Sequence, residues 1–169
     1  MNVETTGKLA GRYRAKVENP VDPQKRERLM VSVPDVLGDD PCIWAESTSG
    51  IGAHALPLKG DWVWVEFEGG DINYATWSGT WRSRSEDLPE PARSAPPAYP
   101  PVVLETRSEH HRLVLSDQPG EKGGILLRHS SGASITINSN GITLDNGKGA
   151  KITLNGKTVA INDDGLKVT

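Results

Sequence analysis

Apolar and polar residues alternate in short bursts along this chain, most regularly in its last third, from Ala133 to Thr169. Pairs of apolar residues one position apart recur there: Ile135/Ile137, Ile142/Leu144, Ile152/Leu154, Val159/Ile161 and Leu166/Val168. The pairs start 7, 10, 7 and 7 residues apart, the longer step being taken up by extra turn residues at Asn146–Gly149. A period of two places each pair on one face of a short strand. The Gly, Asn and Asp residues between the pairs supply left-handed corners. Self-similarity of this kind marks a stacked repeat.

A unit this short cannot stand alone. Its two inward side chains contribute roughly 3–6 kcal/mol at best, against roughly 1–2 kcal/mol for ordering each residue. A single chain coiling three units per turn would leave most of its core at frayed ends. Three identical chains wound about one axis avoid this, each level of the prism taking one strand from each chain. The pattern thus predicts an intertwined trimeric β-helix, or β-prism, over 133–169, with strands hydrogen-bonded to neighbouring chains. Its trimer core would be Ile135, Ile137, Ile142, Leu144, Ile152, Leu154, Val159, Ile161, Leu166 and Val168. A hairpin meander closing a small β domain is the alternative reading of the same pattern.

Upstream, alternation predicts strands at Gly11–Glu18 and Arg28–Val33, a short one at Cys42–Ala45, and the strongest at Asp61–Glu68. In that last stretch Val63, Val65 and Phe67 share one face, with Trp62, Trp64 and Glu66 on the other. Tyr74–Trp81 pairs back as a hairpin across Gly69–Asn73. No window carries a helical stripe, and about five strands in some 80 residues fit a small closed barrel of the OB type. The chain is therefore all-β: an OB-fold domain at 1–87, an extended proline-rich linker at 88–101, a transition collar of short strands at 102–132, and the needle at 133–169.

Charge and chemistry narrow the picture. The 169 residues carry a net charge of −3, which favours neither nucleic acid nor an anionic membrane. The half expected to form the barrel holds 10 Lys and Arg against 14 Asp and Glu, a net of −4. A single-stranded nucleic-acid groove should be basic, so the five Trp residues do not make this an OB-type nucleic-acid binder. Cys42 is the sole cysteine and reads as a core-lining residue in a chain folded in a reducing compartment. Adjacent His110 and His111, read on a strand, point to opposite faces and cannot hold one ion together. His129 would form a three-histidine ring only if it faced a trimer axis. Glu66, Glu68 and Asp71 cluster after a Trp-rich strand, yet nothing supplies the cleft that paired catalytic carboxylates require; they read as a solvated or partner-facing edge. The turns at Asn146–Gly149 and Asp163–Gly165 read as ordinary corners rather than calcium sites.

The segments GRYRAKVENPVDPQKRERLMVSVP (11–34) and GDWVWVEFEGGDINYATWSGTW (60–81) resemble the N-terminal OB domain of phage baseplate assembly protein V and of the T-even central spike. The stretch HHRLVLSDQPGEKGGILLRHSSGASITI (110–137), with the short repeats after it, is similar to the stalk of those proteins and of the type VI secretion spike. The resemblance runs from about Lys8 onward. It implies a homotrimeric spike at the centre of a contractile injection machine. Its OB domains would dock on the ring of hub proteins, and its needle would touch a target outer membrane transiently as it punctures it. It further implies a place in a virion tail baseplate, or a phage-derived injection particle, assembled in the bacterial cytoplasm.

Two departures from relatives matter. T-even-like spikes carry a lysozyme domain where this chain has only 88–101, and some short spikes bind iron through His-x-His at their tips, whereas no histidine follows His129 here. The expectation is of no catalytic residue, no cofactor and no metal. The strand at Leu166, Val168 and Thr169 would instead meet a separate PAAR-type tip protein, unless the sequence is a truncated piece. A trimeric receptor- or glycan-binding fibre is the competing function, but its grooves need wider β faces than seven-residue units build.

Overall fold

In the computed structural model, which describes residues 8–38, 42–48, 55–163 and 165–168, the chain divides into two units, Met1–Ser83 and Arg84–Thr169. In the first, β1 (Arg12–Asn19), β2 (Leu29–Ser32), β3 (Cys42–Ser47), β4 (Trp62–Phe67) and β5 (Ala75–Thr80) form a closed barrel in the order β1-β2-β3-β5-β4. β1 closes it by pairing antiparallel with both β2 and β4, while β3 runs parallel to β5. This is the five-stranded barrel expected of an OB-fold.

The alternation read in the sequence decides what fills it. Ala15, Val17, Leu29, Val31, Val63 and Val65 are fully buried, and Phe67 and Trp77 nearly so. The Trp77 indole reaches a partner by donating to the Glu27 carbonyl at 2.9 Å. That bond tethers the β1–β2 loop, which Asp22 organises from within. Its carboxylate accepts from the backbone N–H groups of Gln24 (2.9 Å) and Arg26 (2.8 Å) and from the Arg28 guanidinium at 2.7 Å. The Arg28 side chain, above all, holds the Asp22 carboxyl well below the usual carboxylate range. Cys42 is exposed at the start of β3, which corrects the core placement read from the sequence: its place in the strand falls outside the inward alternation that buries Ala45.

Pro34–Leu37 forms a single helical turn, α1, with proline at its start, where the missing N–H is harmless. A second turn, α2 (Glu90–Ser94), lies in the proline-rich segment expected to be extended. Pro91 fits its first turn, and Pro96 disfavours helix at the residue before it. No helix among the described residues is long and apolar enough to cross a membrane.

The second unit holds one eight-stranded antiparallel sheet: β6 (Val102–Glu105), β7 (Arg112–Ser116), β8 (Gly124–Arg128), β9 (Ser134–Asn138), β10 (Gly141–Asp145), β11 (Lys151–Asn155), β12 (Thr158–Ile161) and β13 (Leu166–Val168). Each strand pairs with the next in sequence. Strands β7 to β12 thus have a neighbour from their own chain on both edges, and their ladders leave no room for strands of other chains. This corrects the interchain hydrogen bonding expected of an intertwined helix; the pairing is that of the meander. The reason lies in the turns. The two-residue connections 139–140 and 156–157, the latter with Gly156 at φ 57°, return the chain directly beside itself. A short local closure is favoured over threading around two other chains. The sheet is continuous from β6 to β13, so 102–132 and 133–169 form one structure.

Candidate functional site

Cross-strand register sorts the sheet's side chains into columns. Leu104, Leu113, Leu127, Ile135, Leu144, Ile152, Ile161 and Leu166 stand opposite one another from strand to strand. Val102, Leu115, Ile125, Ile137, Ile142, Leu154 and Val159 make a second column beside them. Residues directly opposite in a ladder share a face, so one face carries two apolar columns along its whole length. From Ile135 to Leu166 every apolar residue of the expected trimer core lies on it, between 36% and 55% exposed. Val168 extends the ladder by backbone pairing with Val159, and Thr169 lies outside the described residues.

The other face differs. Val103, Val114 and Leu126 are in register near its start, followed by Thr136, Thr143, Thr153 and Ala160. A β-branched hydroxyl column of this kind suits a wet surface. The apolar face does not. At about 40% exposure, each Leu or Ile forgoes about 1 kcal/mol of burial, on the order of 10 kcal/mol per chain. An apolar surface of this extent marks an interaction site.

The face extends upstream of the core expected from Ile135 onward, to Val102, Leu104, Leu113, Leu115, Ile125 and Leu127. These residues alternate in the sequence too, but irregular spacing masks their continuity with the repeats. The seven-residue turn 117–123 and the six-residue turn 106–111 interrupt the period without interrupting the ladder.

Other candidate chemistry disperses. His110 and His111 lie in the β6–β7 turn, not on a strand as expected, and His110 has φ 55°. His110 Nδ1 sits 2.8 Å from Glu105 Oε1, whereas the His111 ring stacks on His129 at 4.2 Å. Glu66 pairs with Arg12 at 2.6 Å, and Asp71 accepts from the Asn73 backbone N–H and side-chain amide, both at 2.9 Å. Glu68, in the turn after β4, is exposed, so these carboxylates serve separate local roles. No group of three His, Cys, Asp or Glu able to hold a metal occurs among the described residues. On the barrel's outer surface, Trp62 meets Trp81 edge-on at 5.7 Å, and Arg14 lies over Trp81 at 5.2 Å.

A closed OB-type barrel joined to a sheet with one open apolar face defines a structural assembly protein whose second unit needs other chains. Comparison with known families agrees unit by unit. The family described as the type VI secretion system/phage-baseplate injector OB domain matches residues 13–81, and the phage baseplate V C-terminal trimerisation domain matches 101–167. The chain belongs to the baseplate V and central-spike family of contractile injection systems. No curated protein matches it. The matching families are structural components of baseplates and injectors.

Proposed function

We propose that this chain is the homotrimeric central spike of a contractile tail baseplate or related injection particle. Its OB barrel docks on the hub ring, and its C-terminal sheet forms the piercing needle. One observation carries the reading: a single sheet presents two uninterrupted apolar columns to solvent, in a segment matching a trimerisation domain. Three such sheets, one per side of a triangular prism, would bury all six columns along a common axis. The hydrogen-bonded ladders then stay within chains, and the apolar core lies between them. Such a prism resists axial load because its backbone groups are paired and its interior is close-packed.

The spike acts mechanically, without catalytic group or cofactor. A PAAR-type tip protein meets the needle through Leu166, Val168 and Thr169. The Thr136, Thr143 and Thr153 column on the outer face and the net charge of −3 support brief passage through an outer membrane over nucleic-acid binding. Assembly takes place in the bacterial cytoplasm before attachment to the tail.

Light scattering on the purified chain, with an SDS gel of unheated sample alongside, tests this directly. A mass near three chains that persists in SDS is expected. A single-chain mass at micromolar concentration would refute the spike reading.

A further inference from the structure

The chain leaves β5 against the alternation that fills the barrel. Ala75 and Trp77 are buried, and strict alternation would carry Trp81 inward after them. The β4–β5 register slips instead. Val63 stands opposite Thr80 and Trp64 opposite Ser78, so Gly79 is an extra residue on β5. Gly79 takes a left-handed φ of 56°, as such a bulge favours. The slip brings Trp81 to the outer surface, where its N–H donates to the Trp62 carbonyl at 2.8 Å and the two indoles stand edge-on. Bulges recur in proteins where a side chain is re-aimed toward a site.

A pocket of about 190 Å³ opens there, lined by Arg14, Pro34, Asp35, Trp62 and Trp81. It is built from α1, β1, β4 and the exit of β5 rather than from the β2–β3 face that OB barrels present to oligomers. Its backbone is fixed. The Val33 carbonyl accepts from the N–H groups of Val36 at 3.0 Å and Leu37 at 2.8 Å, which holds α1 and with it Asp35. Alternation with the buried Ala15 and Val17 points Arg12, Arg14 and Lys16 outward from β1. Arg12 pairs with Glu66 and Lys16 with Glu18. Arg14 lies over Trp81 instead, and among the described residues no carboxylate pairs with it. Asp35 is exposed and likewise has no basic partner among the described residues. One pocket thus holds an uncommitted cation, an uncommitted anion and two indoles.

We propose that this pocket binds one neutral sugar ring. Its chemistry selects by exclusion. An anionic guest is repelled by Asp35 and a cationic guest by Arg14. A purely apolar guest would strip water from both charges and replace none of it. A pyranose answers all three demands: its hydroxyls donate to the Asp35 carboxylate and accept from the Arg14 guanidinium, while its C–H face lies against indole. Apolar walls with a few convergent polar groups are the usual make-up of a small-ligand site. The pocket belongs wholly to the barrel, so it does not depend on how the C-terminal sheet assembles.

Every Trp of the chain lies in the barrel, so indole N–H resonances of the isotope-labelled full chain report on the site. The signals are assigned with Trp62→Phe and Trp81→Phe, and the chain is titrated with the methyl glycosides of glucose, galactose, mannose and N-acetylglucosamine. At least one glycoside should shift the Trp62 and Trp81 signals and saturate with a Kd of about 1–10 mM, while the buried Trp77 signal stays still. Arg14→Ala and Asp35→Ala should each weaken that binding about tenfold or more. Arg12→Ala, on the same strand face but already paired with Glu66, should leave it unchanged. Arg14 and Asp35 are exposed, and an unmoved Trp77 signal verifies that their variants keep the barrel. Absence of any shift at about 50 mM glycoside would overturn the proposal. So would shifts that survive in the Arg14→Ala/Asp35→Ala double variant, because the sugar would then sit elsewhere. A response to acetyl-glutamine methylamide and to no sugar would assign the pocket to a protein side chain and equally overturn it.

Discussion

Strands β1–β5 and strands β6–β13 carry the same alternation of apolar and polar residues, yet they dispose of their apolar faces differently. In the barrel, β1 pairs with both β2 and β4, the sheet curls onto itself, and Val17, Val31, Val63 and Val65 vanish from solvent within one chain. In the second unit the strands are three to five residues long and ordered strictly by sequence, so the sheet stays open at β6 and β13, and among the described residues no second sheet covers it. Its Ile and Leu residues remain more than a third exposed from Ile135 to Leu166. The barrel is a finished core, whereas the sheet is one side of a core that other chains must complete. Alternation states which face is apolar; what covers that face depends on closure.

The contrast can be broken most severely at the sheet. Ile142→Asp would bury three like charges at one level of the assembled core, which no partner neutralises. The mass should fall from three chains to one by light scattering, while the near-ultraviolet dichroism of the Trp-bearing barrel stays unchanged. A stable trimer of this variant would show that Ile142 does not face the core.

Truncation separates the two units by concentration dependence. Leu29→Ala in the fully buried barrel should cost about 2–5 kcal/mol, with a urea midpoint independent of protein concentration. Leu154→Ala should give a midpoint that moves with concentration, because the sheet's stability is tied to association. Identical behaviour of the two variants would erase the distinction.

Backbone fit is a smaller lever. Gly141 has φ 123°, and a Cβ there would come within 1.9 Å of the Leu154 carbonyl oxygen, whereas Gly69 in the β4–β5 turn has φ 61° with open space around it. Gly141→Ala should therefore destabilise by roughly 2–3 kcal/mol through strain and clash, and Gly69→Ala by about 1 kcal/mol from the left-handed conformation. Thermal melts of the two variants side by side would check the order.

The mildest effect expected is on acid sensitivity, and in the barrel it centres on Asp22. Arg28 lowers the folded-state pKa of Asp22, so this carboxylate contributes stability at every pH above its unfolded value near 4. That contribution is lost as pH falls from there toward the folded value. Asp22→Asn should flatten the barrel's loss of stability below pH 4 relative to the parent chain, and urea midpoints at pH 7, 4 and 3 would measure it. An unchanged acid slope would show that the Arg28 pair is not carrying it.

The barrel was legible because its signals are local. Val63, Val65 and Phe67 alternate with Trp62, Trp64 and Glu66, Gly69 turns the chain, and Ala75 and Trp77 return beside them. The apolar residues of the sheet were legible for the same reason: period two names the face of each strand without knowledge of its neighbours. Partners along the ladder were not, because seven-residue units of identical character pair equally well within one chain or between chains. Tertiary structure decided that choice through the two-residue turns at 139–140 and 156–157. It also decided that Val102, Leu104, Leu113, Leu115, Ile125 and Leu127 join the same columns, because register is a property of paired strands and not of spacing along one. Histidines 111 and 129 are 18 residues apart in sequence and stack only because β7 and β8 bring their turns together. The sequence by itself determined which side chains seek shelter from water; the fold determined that the barrel shelters its own and the sheet does not.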